Sequence, residues 1–514
     1  MVNRVQSGTV IGLNAYKIWV ETDVINSLPS MSVVGLPDAA VNEARDRVKS
    51  AIKNSGYTFP SRKVVVNLAP ADVKKNGTGF DLPIAIGILI EEEVLTSEKV
   101  ENYAFVGELA LDGLIRPVTG VLPLVLGLKE QGIANIIVPK ENAKEAALIE
   151  GINVYGAGCL GDVVGHFTEI PITKTVVNTK DYLVEKSNED YPFDFKDVKG
   201  QQKAKKALEI AAAGGHNVLM TGSPGSGKTM MAKCFPSILP PLELEEALEL
   251  TKIYSVSGLL SSDEPLVVKR PFRGVHHTAS ANGIIGGGSN PKPGEITLAH
   301  RGVLFLDEMV EFPRQVLEVL RQPLEDGEIV ISRASHSVKY PAKFILLGAM
   351  NPCPCGFLGD KEKQCTCSDF QISRYLSKLS GPLLDRIDLQ IDVPRLTPAE
   401  LLNAEPPKES SADIRKRVIK ARQIQLERYK NENILTNSEL TSRLIKKYCV
   451  LDDQSKEILK AAIIKYQLSG RRYDRILKLA RTIADLDASV NITPIHLTHA
   501  LQFRMFKLEE YGKG

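Results

Sequence analysis

The sequence lacks a long apolar run. The best candidate, Leu82–Ile90, spans nine residues and contains a proline, whereas a bilayer requires about 20 apolar residues. The first residues show no basic stretch followed by an apolar one, the pattern of a secretory signal. We therefore expect a cytoplasmic protein with no membrane partner.

The sequence also lacks an excess of either charge. It has 64 basic and 62 acidic residues, a net charge of +2, so any binding to nucleic acid must depend on local patches. With 43% hydrophobic and 25% charged residues among 514, the composition excludes a disordered or fibrous chain. At about 150 residues per domain, the length indicates about three domains.

Cysteine is scarce and unevenly placed. Of seven cysteines, four lie in the pattern C-x-C-x9-C-x-C; these are Cys353, Cys355, Cys365 and Cys367. A secreted scaffold would spread its cysteines along the chain, whereas a cytosolic cluster suggests a metal. Four thiolates can enclose Zn²⁺ as a closed structural site. Four free thiols and a redox pair remain the alternatives.

The fold class expected is α/β. Residues 1–168 alternate β-rich runs with helices, including one helix over Asp38–Ser55, and predict an α+β domain. The polar segment 169–192 reads as a linker. Residues 193–395 contain dense apolar strands that predict a parallel sheet buried on both faces. Residues 396–514 form a second linker and a helical tail.

A phosphate-binding motif lies inside the second domain. The pattern G-x-x-x-x-G-K-T follows an apolar strand and precedes a helix, which is the setting this motif requires. Its residues are Gly222, Ser223, Pro224, Gly225, Ser226, Gly227, Lys228 and Thr229. The backbone N–H groups would surround phosphates, Lys228 would reach the β- and γ-phosphates, and Thr229 would bind Mg²⁺. The alternative is a chance glycine-rich turn.

Two later strand ends carry polar side chains. The apolar strand Gly302–Leu306 ends in Asp307, predicted to hold the Mg²⁺ shell, and Glu308, predicted to polarise the attacking water. Asn351 follows another apolar strand and would sense the γ-phosphate or position water. A solvated strand end and a turn before proline are the competing readings.

These motifs together resemble the AAA+ ATPases. The segment from Phe272 to Glu308 resembles the magnesium-chelatase-like branch, and nearly the whole chain is similar to the ComM/YifB family. The resemblance implies an AAA+ P-loop core, a C-terminal helical lid, and a ring hexamer that binds ATP between subunits. It also implies a DNA helicase that drives branch migration in recombination or natural transformation. Ser223 stands where the family often has proline.

The resemblance assigns roles to arginines as well. Arg386, in GPLLDRIDL, matches the arginine finger that reaches a neighbouring subunit's ATP, and Arg471 best matches the second sensor. Arg472 and Arg475 are close rivals of Arg471. Read without the resemblance, each of these arginines is more often a partner in a surface salt bridge.

The first domain resembles the Lon-protease domain without its catalytic pair. The serine position aligns with Gly79 and the partner lysine aligns with Leu122. A Ser–Lys dyad needs a nucleophile in contact with a base, so we expect no peptidase activity. Thr78 is read as a turn residue.

Two insertions are candidates for contact with DNA. One, 283–292, is rich in glycine and does not read as regular structure; the other, 327–340, alternates like a hairpin with a basic tip. The candidate phosphate contacts are Lys292, Arg333, His336 and Lys339. Ordinary solvated loops are the alternative. We expect His276 and His277 to have a packing or signalling role rather than to bind a metal. The basic helix 415–422 could also lie on DNA, and an ordinary solvent-exposed face is the alternative interpretation.

Two other functions compete with a DNA motor. A chelatase-type motor would remodel a protein partner, and a nucleotide-gated scaffold would need no water-activating glutamate.

Overall fold

The computed structural model describes residues 3–187, 191–288, 291–332, 337–360, 362–397 and 409–504. The chain divides into two compact units. The first combines residues 1–188 with 243–268, and the second combines 189–242 with 269–514. Each unit contains its own sheet and its own hydrophobic core.

An eight-stranded mixed sheet forms the centre of the first unit. It begins with the hairpin of Asn3–Ile11 and Asn14–Ile25, which pair antiparallel over nine residues. In the second strand, Ile18, Val20 and Thr22 are buried at every second position. In spatial order its strands are Lys174–Thr175, Asn153–Ala157, Asn135–Pro139, Tyr103–Phe105, Asn3–Ile11, Asn14–Ile25, Lys63–Ala69 and Ser30–Val34. Glu108–Leu109 and Ile115–Arg116 form a separate small pair.

Helices cover this sheet. The predicted first helix is present over Ala39–Asn54, and its N-cap Asp38 accepts a hydrogen bond from the Val41 N–H at 2.9 Å. Gly56 follows with φ of 84°, a left-handed conformation that suits glycine after a helix. Within 3–187, the described part of this segment, the α-helices of four or more residues are Ala39–Asn54, Asp81–Glu91, Ser97–Val100, Val121–Glu130, Ala143–Ala146, Leu160–Thr168 and Thr179–Ser187.

The segment expected to be a linker contains regular structure. Within 169–192, Lys174–Thr175 pairs with the strand Asn153–Ala157 at the edge of the sheet, and Thr179–Ser187 is helical. Polarity alone suggested a loop, but an edge strand and a surface helix need few apolar residues, so their pattern is weak.

One helix from the middle of the chain completes the first unit. Leu244–Ser257 packs against Val121–Glu130. The Gly120 N–H donates to the Ser255 carbonyl at 3.1 Å, and the Ser255 hydroxyl donates to the buried Glu145 carboxylate at 2.5 Å. This inserted helix lies inside 193–395, the predicted ATPase domain, yet it belongs to the first unit.

The second unit contains the predicted parallel sheet. Its five strands are all parallel, and the three central ones are completely buried. In spatial order they are Phe272–Val275, Val303–Leu306, Ile345–Met350, Val218–Thr221 and Leu389–Asp392. Because parallel strands share one carboxyl edge, the residues after Thr221, Leu306 and Met350 lie together at that edge.

Helices flank this sheet and form the C-terminal region. The spacing of apolar residues in Ser411–Arg428 predicts one buried face made of Ile414, Val418, Ala421 and Ile424. The first three are buried, but Gln425 takes the next buried position instead of Ile424 and donates to the Ala213 carbonyl at 3.0 Å. Among the described residues of this unit, the α-helices of four or more residues are Gln202–Gly214, Lys228–Cys234, Ala281–Ile285, Glu295–Leu298, Arg314–Val319, Arg321–Asp326, Asp369–Leu376, Gly381–Leu384, Ser411–Arg428, Ser442–Tyr448, Asp453–Tyr466, Gly470–Leu486 and Pro494–Arg504. In the residues that the structure describes, no helix is long and apolar enough to span a membrane.

Both predicted insertions form hairpins. Glu328–Ser332 pairs antiparallel with Ser337–Pro341, as the alternation predicted. The glycine-rich insertion is more regular than expected, because Gly286–Gly287 pairs with Lys292–Pro293. Gly286 has φ of 101°, and a Cβ there would lie 2.3 Å from the Lys292 carbonyl oxygen, so this pairing requires glycine.

Candidate nucleotide site

The phosphate loop connects the strand Val218–Thr221 to the helix Lys228–Cys234, as the motif requires. Gly225 and Gly227 have φ of 77° and 92°, which side-chain-bearing residues rarely adopt. A Cβ at either glycine would meet no atom within 4 Å. The loop therefore has open space beside these glycines, where a phosphate chain can approach the backbone.

Lys228 points back into this loop. Its Nζ donates to the carbonyl oxygens of Gly222 at 2.7 Å and Ser223 at 3.0 Å, and it lies 3.5 Å from Asn351 Oδ1. Burial lowers the pKa of Lys228 to about 8, although nearby carboxylates such as Asp307 oppose the shift. A bound phosphate would give this ammonium group an anionic partner.

Two oxygen donors meet at the carboxyl edge of the sheet. Thr229 Oγ1 donates to Asp307 Oδ2 at 2.8 Å. A hydroxyl and a carboxylate are the hard oxygen ligands that Mg²⁺ takes when it also binds substrate phosphates. The donor set therefore fits the predicted ion.

Glu308 has a partner that the sequence did not reveal. Its backbone is left-handed, with φ of 51°, and its half-exposed side chain lies 3.3 Å from His277 Nδ1. His277 follows the strand Phe272–Val275, which pairs with the strand leading to Asp307. Parallel pairing thus places the predicted water-activating carboxylate beside a histidine, and only the strand order could have predicted that contact.

The four clustered cysteines lie together directly after Asn351. Their sulfur atoms are all within 4.8 Å of one another. Cys353 Sγ lies 3.4 Å from Cys355 Sγ and 3.6 Å from Cys365 Sγ. A tetrahedral zinc site with Zn–S bonds of about 2.3 Å needs sulfur separations of roughly 3.8 Å, so these separations are compatible with Zn²⁺.

The thiols in this cluster differ in acidity. Burial raises the pKa of Cys353 to about 12, with hydrogen bonds to Cys355 and Cys365 acting in the same direction. Burial also acts against ionisation of Cys355, but bonds from the Phe357 and Thr366 backbone lower its pKa to about 6. A thiolate at Cys355 gives a cation its first ligand near neutral pH.

Arg386 is paired within its own chain. Its side chain is 9% exposed and donates to the Glu325 carboxylate and to the Pro382 carbonyl. Burial lowers the pKa of Arg386, and the neighbouring charges of Arg321, Arg471 and Arg475 lower it further. Contact with a neighbouring subunit's nucleotide, the predicted role, requires the pair with Glu325 to open.

The three candidate sensor arginines lie at the start of the helix Gly470–Leu486. Arg472 Nε lies 3.4 Å from Asp385 Oδ1, and Arg475 donates to Asp388 at 2.5 Å. Arg471 is exposed and has no ion pair within the described part of the chain. Of the three guanidinium groups, that of Arg471 is therefore the one available to bind a phosphate. Its role as second sensor stays a prediction.

The two hairpins predicted to contact DNA adjoin. Tyr340 Oη donates to the Pro291 carbonyl at 2.7 Å. Lys292 is exposed, and exposed Lys339 pairs with Glu328 across its hairpin at 2.9 Å. Arg333 and His336 lie outside the described residues. The sequence analysis identified the two insertions as separate segments and did not predict that they contact each other.

The positions aligned with the protease dyad lie in the first unit. Leu122 is fully buried, and its N–H donates to Glu145 Oε1 at 2.9 Å. A Cβ at Gly79 would meet Val106 at 3.4 Å. Gly79 thus has an apolar neighbour, and Leu122 makes a hydrogen bond through its backbone.

Comparison with known proteins agrees with this geometry. Three family models match: "Magnesium chelatase, subunit ChlI" over residues 194–401, "Subunit ChlI of Mg-chelatase" over 20–142, and "Magnesium chelatase, subunit ChlI C-terminal" over 408–504. The parallel sheet, the phosphate loop and these matches define a magnesium-chelatase-like AAA+ protein.

Relatives similar over almost the full length narrow this class. The chain is 44% identical over 505 residues to the competence protein ComM of Haemophilus influenzae, covering 97% of each chain. It is 43% identical over 505 residues to YifB of Escherichia coli, covering 97% of this chain and 96% of that protein. The chain belongs to the ComM/YifB family. A magnesium-chelatase 38 kDa subunit of Rhodobacter capsulatus is 27% identical over 179 residues, which cover 31% of this chain and 50% of that protein.

Proposed function

We propose that the protein is an ATP-driven, hexameric motor that acts on DNA, a helicase promoting branch migration in recombination or natural transformation. The observation that carries the ATPase part is the meeting of Lys228, Thr229, Asp307 and Glu308 at one sheet edge. Membership of the AAA+ class implies ATP and Mg²⁺ as ligands. The similarity to a competence protein supports the DNA part.

The residues divide the chemistry as follows. The open backbone of Gly225–Gly227 and the Lys228 ammonium bind the phosphates, while Thr229 and Asp307 hold the cation. Bound Mg²⁺ supplies charge neutralisation on the phosphate oxygens. Glu308 accepts the proton of the attacking water at its carboxylate, once that carboxylate has left His277. Asn351 positions the water or the γ-phosphate.

In the proposed hexamer, arginine side chains supply the remaining positive charge at the nucleotide site. Arg386 and Arg471, in an arginine-rich region of the second unit, are proposed as the finger and the second sensor. Arginine is well suited to stabilising charge on a transferring phosphoryl group. In this arrangement a site is complete only beside a neighbouring subunit.

The DNA part rests on the adjoining hairpins. Lys292 and Lys339 are exposed on two hairpins that contact each other, and lysines on such hairpins can contact phosphates without reading sequence. Arg333 and His336 belong to the same proposal. A chelatase-type motor that remodels a protein partner is the second candidate, favoured by the partial similarity to a magnesium-chelatase subunit.

The cysteine cluster is proposed to hold structural Zn²⁺, since its sulfur separations fit a tetrahedral site. The reducing cytoplasm, the proposed location, keeps such thiols available. We further propose that the first unit has no peptidase activity, because Gly79 and Leu122 offer neither a nucleophile nor a base.

The test is ATP hydrolysis with and without forked DNA, together with native mass. Forked DNA should stimulate turnover, and nucleotide should yield a hexamer. Glu308→Gln should bind ATP and assemble but hydrolyse it at least about 100-fold more slowly. Stimulation only by a protein partner would favour the chelatase-type motor, and a monomer that never hydrolyses ATP would refute both.

A further inference from the structure

The segment 353–367, which carries the four cysteines and is called the cysteine loop below, contacts the phosphate loop at two adjacent residues, Ser223 and Pro224. Ser223 Oγ donates to Asp360 Oδ2 at 2.7 Å. A Cβ built on Gly356 would lie only 2.7 Å from Pro224 Cδ, so the backbone beside Cys355 packs directly against the loop. Neither contact follows from the motif, which needs only backbone amides at these positions.

Other contacts hold the phosphate loop from within the strand–loop–helix unit and from Gln201: Lys228 donates to two of its carbonyl oxygens, and Gln201 Nε2 donates to the Ser226 carbonyl at 3.5 Å. Gly222 is held at the strand end, where its N–H donates to the Met350 carbonyl at 3.2 Å. Beyond Pro224, Gly225 and Gly227 face open space. At Ser223 and Pro224 the segment 353–367 adds contacts to the first half of the loop before nucleotide arrives.

The cysteine loop has little regular secondary structure. Among the described residues between Met350 and Asp369, the chain forms turns and bends without a helix or a strand. Asp360 caps a turn by accepting bonds from the N–H groups of Glu362 and Lys363 at 2.9 and 3.1 Å. The cysteines flank this turn, with Cys353 and Cys355 before it and Cys365 after it.

We propose that metal in the four-cysteine site holds Asp360 and Gly356 against the phosphate loop and thereby sets the affinity for ATP. Asp360 is a positioning residue in this scheme, because it acts on nucleotide through Ser223. The inference rests on the proposed zinc site and adds a function to it. It predicts that zinc content and nucleotide affinity are linked.

The experiment uses the full chain and measures zinc by elemental analysis and the Kd of a non-hydrolysable ATP analogue with Mg²⁺. Asp360→Ala and Ser223→Ala should each weaken binding about tenfold, the size of one hydrogen bond to a charged group. The double variant should be no weaker than either single variant, because both remove the same contact. Glu362→Ala is the matched control, since it removes an exposed acid from the same turn, and it should bind like the wild type.

Two readouts separate positioning from general damage. Asp360→Ala and Ser223→Ala should both keep their zinc, and the ATPase activity of each should show a raised KM with kcat close to wild type. Removing zinc from the wild type with a chelator should weaken binding at least as much as Asp360→Ala does, and removing it from the double variant should add less.

The outcomes are distinguishable. Unchanged affinity in zinc-loaded Asp360→Ala, or in wild-type protein stripped of zinc, would overturn the coupling and leave the zinc site standing. A wild-type chain that takes up no zinc would overturn the zinc site itself. Additive effects of Ser223→Ala and Asp360→Ala would show that the two residues act separately, which also contradicts the proposal.

Discussion

A buried aspartate in the C-terminal region offers a sharp test of the fold. Asp485 has a side-chain exposure of 0% and receives bonds from three residues. Arg428 donates to both carboxylate oxygens, Arg481 Nε donates at 3.1 Å, and Asn437 donates at 2.8 Å. Asp485→Asn retains the shape of the side chain while removing the only negative charge in this group of contacts.

The expected loss is large because the arginines stay where they are. Arg481 is 2% exposed and Arg428 is 16% exposed, so neither can recover full hydration. Removing one partner of a buried ion pair costs about 3–5 kcal/mol. For a unit of this size, that corresponds to a fall in melting temperature of about 10 °C.

Calorimetry on the full chain measures this effect through the transition of the second unit. The matched control is Asp453→Asn, which breaks an ion pair with Lys456 whose side chains are 97% and 61% exposed. Such exposed pairs contribute little, so the control should melt like the wild type. Equal melting of both variants and the wild type would refute the reasoning that burial makes the Asp485 contacts strong.

Two further predictions concern the metal site and the inserted helix. Cys353→Ser should lose bound zinc and destabilise the second unit, because it removes one of four ligands; unchanged metal content by elemental analysis would refute the assignment. Burial raises the pKa of Glu145 above its ordinary value of 4.5 despite bonds from Ser255, Leu122 and Asn142. The folded state therefore binds more protons, and the stability of the first unit should fall as pH rises above about 4.5. Glu145→Gln should flatten this slope in denaturant titrations, whereas an unchanged slope would show that another group is responsible.

The sequence predicted the parts of the site that depend on local order. The phosphate loop lies between a strand and a helix, and Asp307 follows a buried strand, because both arrangements are written in consecutive residues. Apolar runs likewise predicted the three central strands of the parallel sheet within one or two residues at each end, whereas the edge strands Phe272–Val275 and Leu389–Asp392 were not predicted. The C-x-C pairs predicted a cluster whose sulfurs do meet.

Contacts between distant segments could not be predicted in this way. His277 beside Glu308 depends on which strands are neighbours, and Asp360 beside Ser223 depends on how an irregular loop folds back. Arg386 looked like a surface arginine or a finger, but its pairing with Glu325 needs two separate segments to meet. The edge strand Lys174–Thr175 was missed because two residues carry almost no periodic signal.

The inserted helix Leu244–Ser257 makes the first unit discontinuous in sequence. The chain passes between the units three times, so a protease cut near residue 188 leaves two covalent connections intact. A fragment truncated there would lack the helix that covers Val121–Glu130 and would leave Glu145 without Ser255. Recombinant work on the first unit therefore needs residues 243–268 supplied in the same polypeptide, for example as a fused segment after residue 188.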